Sequence, residues 1–223
     1  MNLLELIKEL NAKFKLIGCN IYAVGGTVRD FLLHKNLTDF DFATDASPSE
    51  TKSILEKYDD TFAKYGVIIY RYENKKLEIT SFRKENLYLD SRHPQKIEFV
   101  KDMKIDYKRR DFTINALYMD DTGKIYDFCD GLNDLHNKII RVIGDIDTRM
   151  KEDPLRILRA LRFMMTLGFV LDNNLEKYIY EHIYLLDKLN VDKIRQEIRK
   201  MQKIDEEKTK VILEKFHINM FNN

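Results

Sequence analysis

The sequence predicts an α+β fold in which a mixed α/β domain precedes a helical domain. Short runs rich in β-branched and aromatic residues alternate with helical patterns between Ile21 and about Ile146. After Asp147 glycine almost disappears, and apolar residues recur at helical spacing along the rest of the chain. We therefore divide the chain into domains of residues 1–146 and 147–223.

The opening element is predicted to be an amphipathic helix, because Leu3, Ile7 and Leu10 recur at helical spacing. Five β-rich runs follow and predict strands, with a hairpin turn at Asn74 and Lys75 between the third and the fourth. The predicted strands cover Ile21–Val24, Phe40–Ala43, Val67–Tyr72, Lys76–Thr80 and Lys96–Val100.

Composition sets the class of protein. With 44% hydrophobic and 34% charged residues, the chain of 223 residues is typical of a soluble globular protein. No apolar run approaches the roughly 18 residues that span a bilayer, so we expect neither a membrane span nor a signal peptide. Cys19 and Cys129 lack any paired Cys or His spacing, which argues against disulfides and zinc and favours the cytoplasm. A net charge of +1 means that any RNA must bind at a local patch.

Asp39 and Asp41 are separated by one residue, and on a strand this spacing places both carboxylates on one face. Neighbouring carboxylates repel each other unless a cation lies between them, and such hard oxygen ligands suit Mg²⁺ shared with substrate phosphates. A solvated strand edge explains the pair equally well.

Glu78, which faces away from Leu77 and Ile79 on its predicted strand, is the candidate third carboxylate of a two-metal site. The alternative interpretation is that Glu78 is an ordinary exposed glutamate on a strand.

The Gly25-Gly26 pair joins a predicted strand to a helical run. Backbone N–H groups at such a turn favour phosphate, and Arg29, one turn into the helix, could add a bidentate contact to a triphosphate. A glycine pair alone is weak evidence, and the aspartate pair that follows gives it weight.

A basic triplet runs from Lys108 into Asp111 and Asn115. Its paired arginines, Arg109 and Arg110, suit a polyanion, while Asp111 and Asn115 can bind sugar hydroxyls. Alternatively, Asp111 is the N-cap of the helical turn that follows, and the two roles are compatible.

A further polar cluster lies near the start of a predicted helix at Pro154, where steps of three align Asp153, Arg156 and Arg159. Asp153 and Arg156 form either a local ion pair worth a few tenths of a kcal/mol or an acceptor and donor set that reads the Watson–Crick edge of a base. Arg162 falls in an apolar stripe and therefore needs a partner. The stripe consists of Leu155, Leu158, Leu161 and Met165.

These clusters resemble the class II tRNA nucleotidyltransferases, which are the bacterial CCA-adding enzymes and their poly(A) polymerase relatives. The matching segments are Gly25–Asp30, Asp39–Asp41, Arg109–Ala116 and Glu152–Arg156, in that order. The resemblance implies a polymerase-β-like head followed by a helical neck. It also implies attack by the tRNA 3′ hydroxyl on the α-phosphate of CTP or ATP, with release of pyrophosphate.

The resemblance further implies roles for particular residues. Asp39 and Asp41 would bind Mg²⁺, and Arg110 would contact the nucleotide. Together with Glu78, whose candidacy rests on its place on the predicted strand, these three are the predicted catalytic residues. The residues expected to contact the nucleotide are Gly25, Gly26, Arg29, Arg110, Asp111, Asn115, Asp153, Arg156, Arg159 and Arg162. Asp153 and Arg156 would act as a protein template that accepts CTP first and ATP last. The segment Asp192–Glu197 resembles the next helical motif of the family, which usually begins with Glu.

The segment Ser81–Pro94 resembles the flexible loop with which complete CCA-adding enzymes switch from C to A. It favours CCA addition or A addition over CC addition, and the lack of long basic extensions disfavours a poly(A) polymerase. Family members usually continue into helical body and tail domains. A chain that ends at Asn223 is therefore expected to bind nucleotides and to bind tRNA weakly.

Two alternatives remain open at this point. One is a truncated nucleotide- or tRNA-binding module without turnover, although intact Asp39, Asp41 and Arg110 argue against lost chemistry. The other is a nucleotidyltransferase with a different acceptor, which fits less well with base reading by Asp153 and Arg156.

Overall fold

The computed structural model describes residues 2–88 and 94–218, so the tip of the loop predicted at 81–94 lies outside the described residues. The chain divides into two compact units. The head unit comprises Met1–Asn86 and Lys96–Leu132, and the helical unit comprises Leu87–Gln95 and Asn133–Asn223. The sequence-based boundary after residue 146 stays a prediction about domains.

The head unit is built on a seven-stranded mixed sheet. Its strands are β1 Ile21–Val24, β2 Phe40–Thr44, β3 Tyr58–Asp59, β4 Val67–Tyr72, β5 Lys75–Ser81, β8 Tyr118–Met119 and β9 Ile125–Tyr126. They lie in the order β3-β4-β5-β2-β1-β8-β9. β2 and β5 run parallel, and the other neighbouring pairs run antiparallel. Two further strands, β6 Arg83–Tyr88 and β7 Pro94–Phe99, pair with each other.

Short helices flank this sheet. They are α1 Leu3–Lys15, α2 Gly26–Leu32, α3 Pro48–Ser53 and α4 Met103–Asp106. The next helix, α5 Gly131–Asn137, begins at the end of the head unit and belongs mostly to the helical unit. The α1 helix begins with a capping box between Asn2 and Glu5. Leu3, Ile7 and Leu10 are buried on one face of α1, as their spacing predicts.

Among its described residues, the helical unit contains most of α5 and five further α-helices. They are α6 Ile146–Glu152, α7 Leu155–Leu167, α8 Asn173–Glu181, α9 Val191–Gln202 and α10 Glu206–Lys215. A short parallel strand pair, β10 Ile139–Ile140 with β11 Val170–Leu171, accompanies them. The predicted apolar stripe of α7 is buried along its whole length, and α7 packs against α9.

The predicted fold class is confirmed, and all five predicted strands are present, two with the predicted bounds and three with bounds that differ by one or two residues. The hairpin turn lies at Glu73 and Asn74, one residue before its predicted place, and Glu73 takes a left-handed φ of 49°. The predicted N-cap role of Asp111 is wrong, because Phe112 occupies the N-cap of the 3-10 turn Thr113–Asn115. None of the helices described is long and apolar enough to cross a membrane.

Candidate active site

The predicted aspartates lie at the start of β2, beside the glutamate predicted as their partner. Asp41 lies opposite Glu78 in the parallel pairing of β2 with β5. Thr27 fixes the backbone here, because its hydroxyl accepts a hydrogen bond from Asp41 N (2.7 Å) and donates one to Asp39 O (3.2 Å). Thr27 is buried in the first turn of α2, so this helix holds both acids in place. Sequence reasoning missed this role, because a threonine carries no signal of its own there.

Crowded carboxylates make this edge of the sheet a region of unfavourable negative charge. The pKa of Asp41 is raised to about 6, chiefly by burial and then by the neighbouring charges of Glu78 and Asp39, while Arg110 and Arg29 oppose the shift. Burial also raises the pKa of Glu78. A divalent cation would relieve this repulsion, so the chemistry of the donors fits such an ion.

The donor set at this edge is small. In the part of the chain that the structure describes, no three Asp, Glu, His or Cys side chains form a group that could hold one metal ion. An ion bound by Asp39 and Asp41 would therefore keep positions for water and phosphate oxygens, as Mg²⁺ commonly does. A ligand role for Glu78 stays a prediction.

The glycine pair lies directly against these acids. Gly25 has a φ of 65° and a ψ of −129°, a conformation that favours glycine. A Cβ atom built on Gly25 would lie 3.8 Å from Arg110 Nη1 and 4.0 Å from Asp41 Oδ2. One built on Gly26 would lie 3.6 Å from Arg29 Nη2 and 3.8 Å from Asp41 Oδ2. Predicted residues from distant parts of the sequence thus converge on one turn.

Arg29 is held by polar neighbours on both sides. Its Nε and Nη2 donate to the carboxylate of Asp30 (both 2.9 Å), and its Nη1 donates to Asn115 Oδ1 (2.6 Å). Asn115 Nδ2 in turn donates to Asp111 Oδ1 (3.1 Å). The predicted sugar-binding residues and the predicted phosphate-binding arginine therefore belong to one hydrogen-bonded group, in which Asp30 is an unpredicted member.

A second cluster, not predicted from the sequence, centres on Asp106, which is 0% exposed. Its Oδ1 accepts hydrogen bonds from Arg109 Nε (2.8 Å) and Arg83 N (3.1 Å). Its Oδ2 accepts from Arg110 Nη2 (3.0 Å) and Tyr118 OH (2.6 Å). Burial alone would raise the pKa of Asp106, but the two arginines outweigh it and hold the pKa well below its usual range.

In the helical unit, Arg156 is buried and bound to its own segment. It donates to the carbonyl oxygen of Arg149 and lies 3.4 Å from Glu152 Oε2. Its carboxylate partner is therefore Glu152 rather than the predicted Asp153. Asp153 Oδ1 accepts from Leu155 N (3.2 Å), which supports the first turn of α7.

Arg162 has the partner that its place in the apolar stripe requires. Its Nε donates to Glu197 Oε2 on α9 (2.8 Å), and Glu197 Oε1 also accepts from Lys200 Nζ (2.6 Å). Burial raises the pKa of Glu197, but Lys200 and Arg162 outweigh it, so the pKa lies below its usual value. The predicted nucleotide-supporting Arg162 thus also joins α7 to α9. Nearby on α7, the Arg159 guanidinium lies over the Phe163 ring at 5.7 Å.

Residues 21–141 match the family described as the poly A polymerase head domain. The chain belongs to this family. The match contains the acid pair, the glycine turn and the Asp106 cluster, and it confirms the resemblance drawn from the sequence motifs. Nucleotidyltransferases of this family generally depend on a divalent metal.

Relatives and solved structures agree with the family. The CCA-adding enzyme of Lactobacillus johnsonii is 46% identical over 198 residues, which cover 89% of this chain and 49% of that protein. The CCA-adding enzyme of Enterococcus faecalis is 43% identical and covers 88% and 47%. The chain therefore spans about half the length of these curated relatives.

Two solved structures show the likeness in three dimensions. The crystal structure of the Bacillus stearothermophilus CCA-adding enzyme in complex with CTP has a TM-score of 0.81 at 34% identity, covering 90% of this chain and 49% of that one. A tRNA nucleotidyltransferase complexed with a primer tRNA and an incoming ATP analog has a TM-score of 0.77 at 29% identity, covering 96% and 62%. Both likenesses cover nine-tenths or more of this chain.

Replacing Glu197 with Gln is expected to lower the free energy of unfolding by about 1–3 kcal/mol, because the partly buried Arg162 loses its charged acceptor. Chemical denaturation followed by circular dichroism measures this loss. Glu207→Gln is the matched control, since Glu207 on α10 pairs with Lys210 at 2.9 Å but is 84% exposed. The control is expected to cost below about 0.5 kcal/mol. Equal losses of unfolding free energy in the two variants would show that the Glu197 pair stabilises the fold no more than an exposed ion pair does.

Proposed function

We propose that this chain is the head and neck of a template-independent nucleotidyltransferase that adds CMP and AMP to the 3′ end of tRNA. CTP and ATP are the substrates, pyrophosphate is released, and the cytoplasm is the proposed compartment. We further propose residues 1–146 as the head and 147–223 as the helical neck and the start of a body domain. The observation that carries the proposal is the convergence of Asp41, Arg110 and the Gly25-Gly26 turn within about 4 Å. It is supported by likeness to structures whose names include CTP and primer tRNA.

Asp39 and Asp41 are the proposed ligands of Mg²⁺. When bound, the ion supplies a Lewis acid that favours ionisation of the attacking hydroxyl and offsets phosphate charge. The two carboxylates are held on β2 through the Thr27 hydroxyl, so their direction is set before any substrate arrives. Glu78 adds negative charge beside Asp41, which strengthens the demand for a cation.

The proposed nucleotide site lies at the glycine turn beside this acid pair, where two arginines supply positive charge. Arg110 and Arg29 both have a guanidinium nitrogen beside the glycine turn, where a triphosphate would gain charge-assisted hydrogen bonds. The backbone at Gly25 and Gly26 leaves room for a phosphate that a Cβ would partly fill. Asp111 and Asn115 are proposed to bind the ribose hydroxyls, since they are hydrogen-bonded to each other and Asn115 also accepts a hydrogen bond from Arg29.

Base choice is proposed for the helical unit, with Asp153 and Arg156 as the readers and Arg159 and Arg162 as supports. An acceptor beside donors suits the Watson–Crick edges of both cytosine and adenine. Because Arg156 is bound to Arg149 O and Glu152 in this structure, we expect its direction to be fixed from behind by its own segment.

Replacing Asp153 with Ala is expected to blur base choice, reducing the preference for C and A over U and G by about tenfold or more, since a paired base contact is worth about 1–3 kcal/mol. Incorporation of each of the four nucleotides is measured in competition. Asp187→Ala, an exposed position in the same unit, is the control and is expected to keep selectivity. Full selectivity in the Asp153 variant would remove it from the templating role.

The proposed function is tested by incubating the protein with magnesium, tRNA lacking its 3′ end, and labelled CTP and ATP, separately and together. Ordered addition of two C and one A is the expected result. Addition of A alone, to tRNA already ending in CC, would instead identify an A-adding enzyme. Nucleotide binding without any addition would identify a binding module and overturn the proposal.

A further inference from the structure

Tyr118 is fully buried on β8, and its hydroxyl lies between an acid and a base. The hydroxyl donates to Asp106 Oδ2 (2.6 Å) and accepts from Arg110 Nε (2.9 Å). Arg110 Nη2 also donates to Asp106 Oδ2 (3.0 Å). The three side chains therefore form a closed ring of hydrogen bonds in which each contacts the other two.

The aromatic ring adds a second contact to the same arginine. The guanidinium carbon of Arg110 lies 4.9 Å from the centre of the Tyr118 ring. A guanidinium is planar and rigid, so bonds at Nε and Nη2 also set the direction of Nη1. Nη1 is the atom 3.8 Å from the position that a Cβ on Gly25 would take.

The same strand that carries Tyr118 also fixes the glycine turn. β8 pairs with β1 so that Tyr118 lies opposite Val24, the residue before Gly25. Gly25 N donates to Leu117 O (3.2 Å). The backbone at Leu117 and Tyr118 thus sets the position of the turn, while the Tyr118 side chain sets the direction of Arg110. The distance between the glycine turn and the Arg110 guanidinium therefore depends on this one segment.

We infer that Tyr118 is a positioning residue that orients the Arg110 guanidinium toward the triphosphate of the incoming nucleotide. This inference rests on the proposed function, because it assigns the nucleotide to the Gly25-Gly26 turn. Tyr118 itself contacts Arg110 and Asp106 and is not a catalytic residue. Tyr118 therefore acts through Arg110, and its effect is on the affinity for the nucleotide.

The test uses Tyr118→Phe, which removes the hydroxyl and keeps the ring that fills the core. A hydrogen bond to a charged group is lost, so we expect CTP binding with magnesium to weaken about tenfold. We expect the KM for CTP to rise by a similar factor while the KM for tRNA stays unchanged. Isothermal titration gives the affinity, and thermal unfolding of the same samples shows that both proteins are folded.

Tyr126→Phe is the matched control. Tyr126 lies opposite Tyr118 in the pairing of β8 with β9, and its hydroxyl donates to Asp120 Oδ2 (3.0 Å). This variant loses a tyrosine–aspartate bond in the same sheet without touching Arg110, so CTP affinity is expected to stay within about twofold. Equal loss of CTP affinity in the two variants would overturn the inference.

A double-mutant cycle with Arg110→Lys separates positioning from a general structural role. If Tyr118 acts through Arg110, removing its hydroxyl in the Arg110→Lys background is expected to have little further effect on CTP affinity. An undiminished tenfold loss in that background would overturn the inference while leaving the proposed function intact. Absence of CTP binding by the unaltered protein would instead overturn the proposed function, and the inference with it.

Discussion

Replacing Asp41 with Asn is expected to reduce nucleotide transfer by about a thousandfold or more, while the head unit stays folded. The variant keeps the size of the side chain but removes one of the two proposed ligands of the metal, whose charge stabilisation is worth several kcal/mol. Single-turnover incorporation of labelled CTP into tRNA lacking its 3′ end measures the loss.

The Asp41→Asn variant is also expected to stay folded, and thermal unfolding in EDTA measures this. Because Asp39 and Glu78 both repel the Asp41 carboxylate, the variant is expected to unfold at a temperature at least as high as the unaltered protein. Asp121→Asn is the control. Asp121 lines a separate polar cavity and accepts a hydrogen bond from Asn11 Nδ2 (2.8 Å), so its loss is expected to leave transfer unchanged. Normal transfer by the Asp41 variant would remove this residue from the metal site.

Replacing Asp106 with Ala is expected to lower the free energy of unfolding by about 3–5 kcal/mol, the usual cost of removing one partner from a buried ion pair. The change leaves Arg109 and Arg110 without their shared carboxylate and Tyr118 without its acceptor. Urea denaturation measures the effect. Asp60→Ala is the matched control, since Asp60 pairs with Lys52 at 3.0 Å but is 51% exposed, and we expect a cost below about 1 kcal/mol.

The pH dependence of stability provides a separate check on Asp106. Folding lowers the pKa of this carboxyl, so its stabilisation is present above the ordinary aspartate pKa and is lost as the pH falls through the lower, folded-state value. The loss begins as the pH falls below the ordinary aspartate pKa, because the unfolded chain then binds a proton that the folded protein does not. The unaltered protein is therefore expected to lose more stability between pH 5 and pH 3 than Asp106→Asn does. Parallel pH profiles for the two proteins would contradict the burial and pairing of Asp106.

Local patterns predicted the parts of the molecule that depend on neighbours in the sequence. Alternation of apolar residues located the five predicted strands, and the spacing of Leu155, Leu158 and Leu161 located the buried face of α7. The aspartates and the glycine turn were predicted because each forms a compact motif. Their approach to within about 4 Å could only be expected from the family resemblance, since it depends on how β2, β1 and α2 pack.

Residues that act through distant partners left no local signal. Thr27 bonds to the backbone at Asp39 and Asp41, and Tyr118 bonds to Asp106, across 12 to 14 positions in each case. An aspartate three and four places before two arginines is a visible feature around Asp106. Its spacing fits an exposed helix pair as well as a buried one. Burial decides between them, and burial depends on the completed sheet.

The metal-dependent nucleotide site is tested by calorimetric titration of CTP into the unaltered protein and into the double variant Asp39→Asn, Asp41→Asn, each with magnesium and with EDTA. We predict that the unaltered protein binds CTP substantially more tightly with magnesium than with EDTA, and that the double variant loses this difference. Equal binding by both proteins, or affinity that does not change when the metal is removed, would contradict a metal-dependent nucleotide site at the aspartate pair.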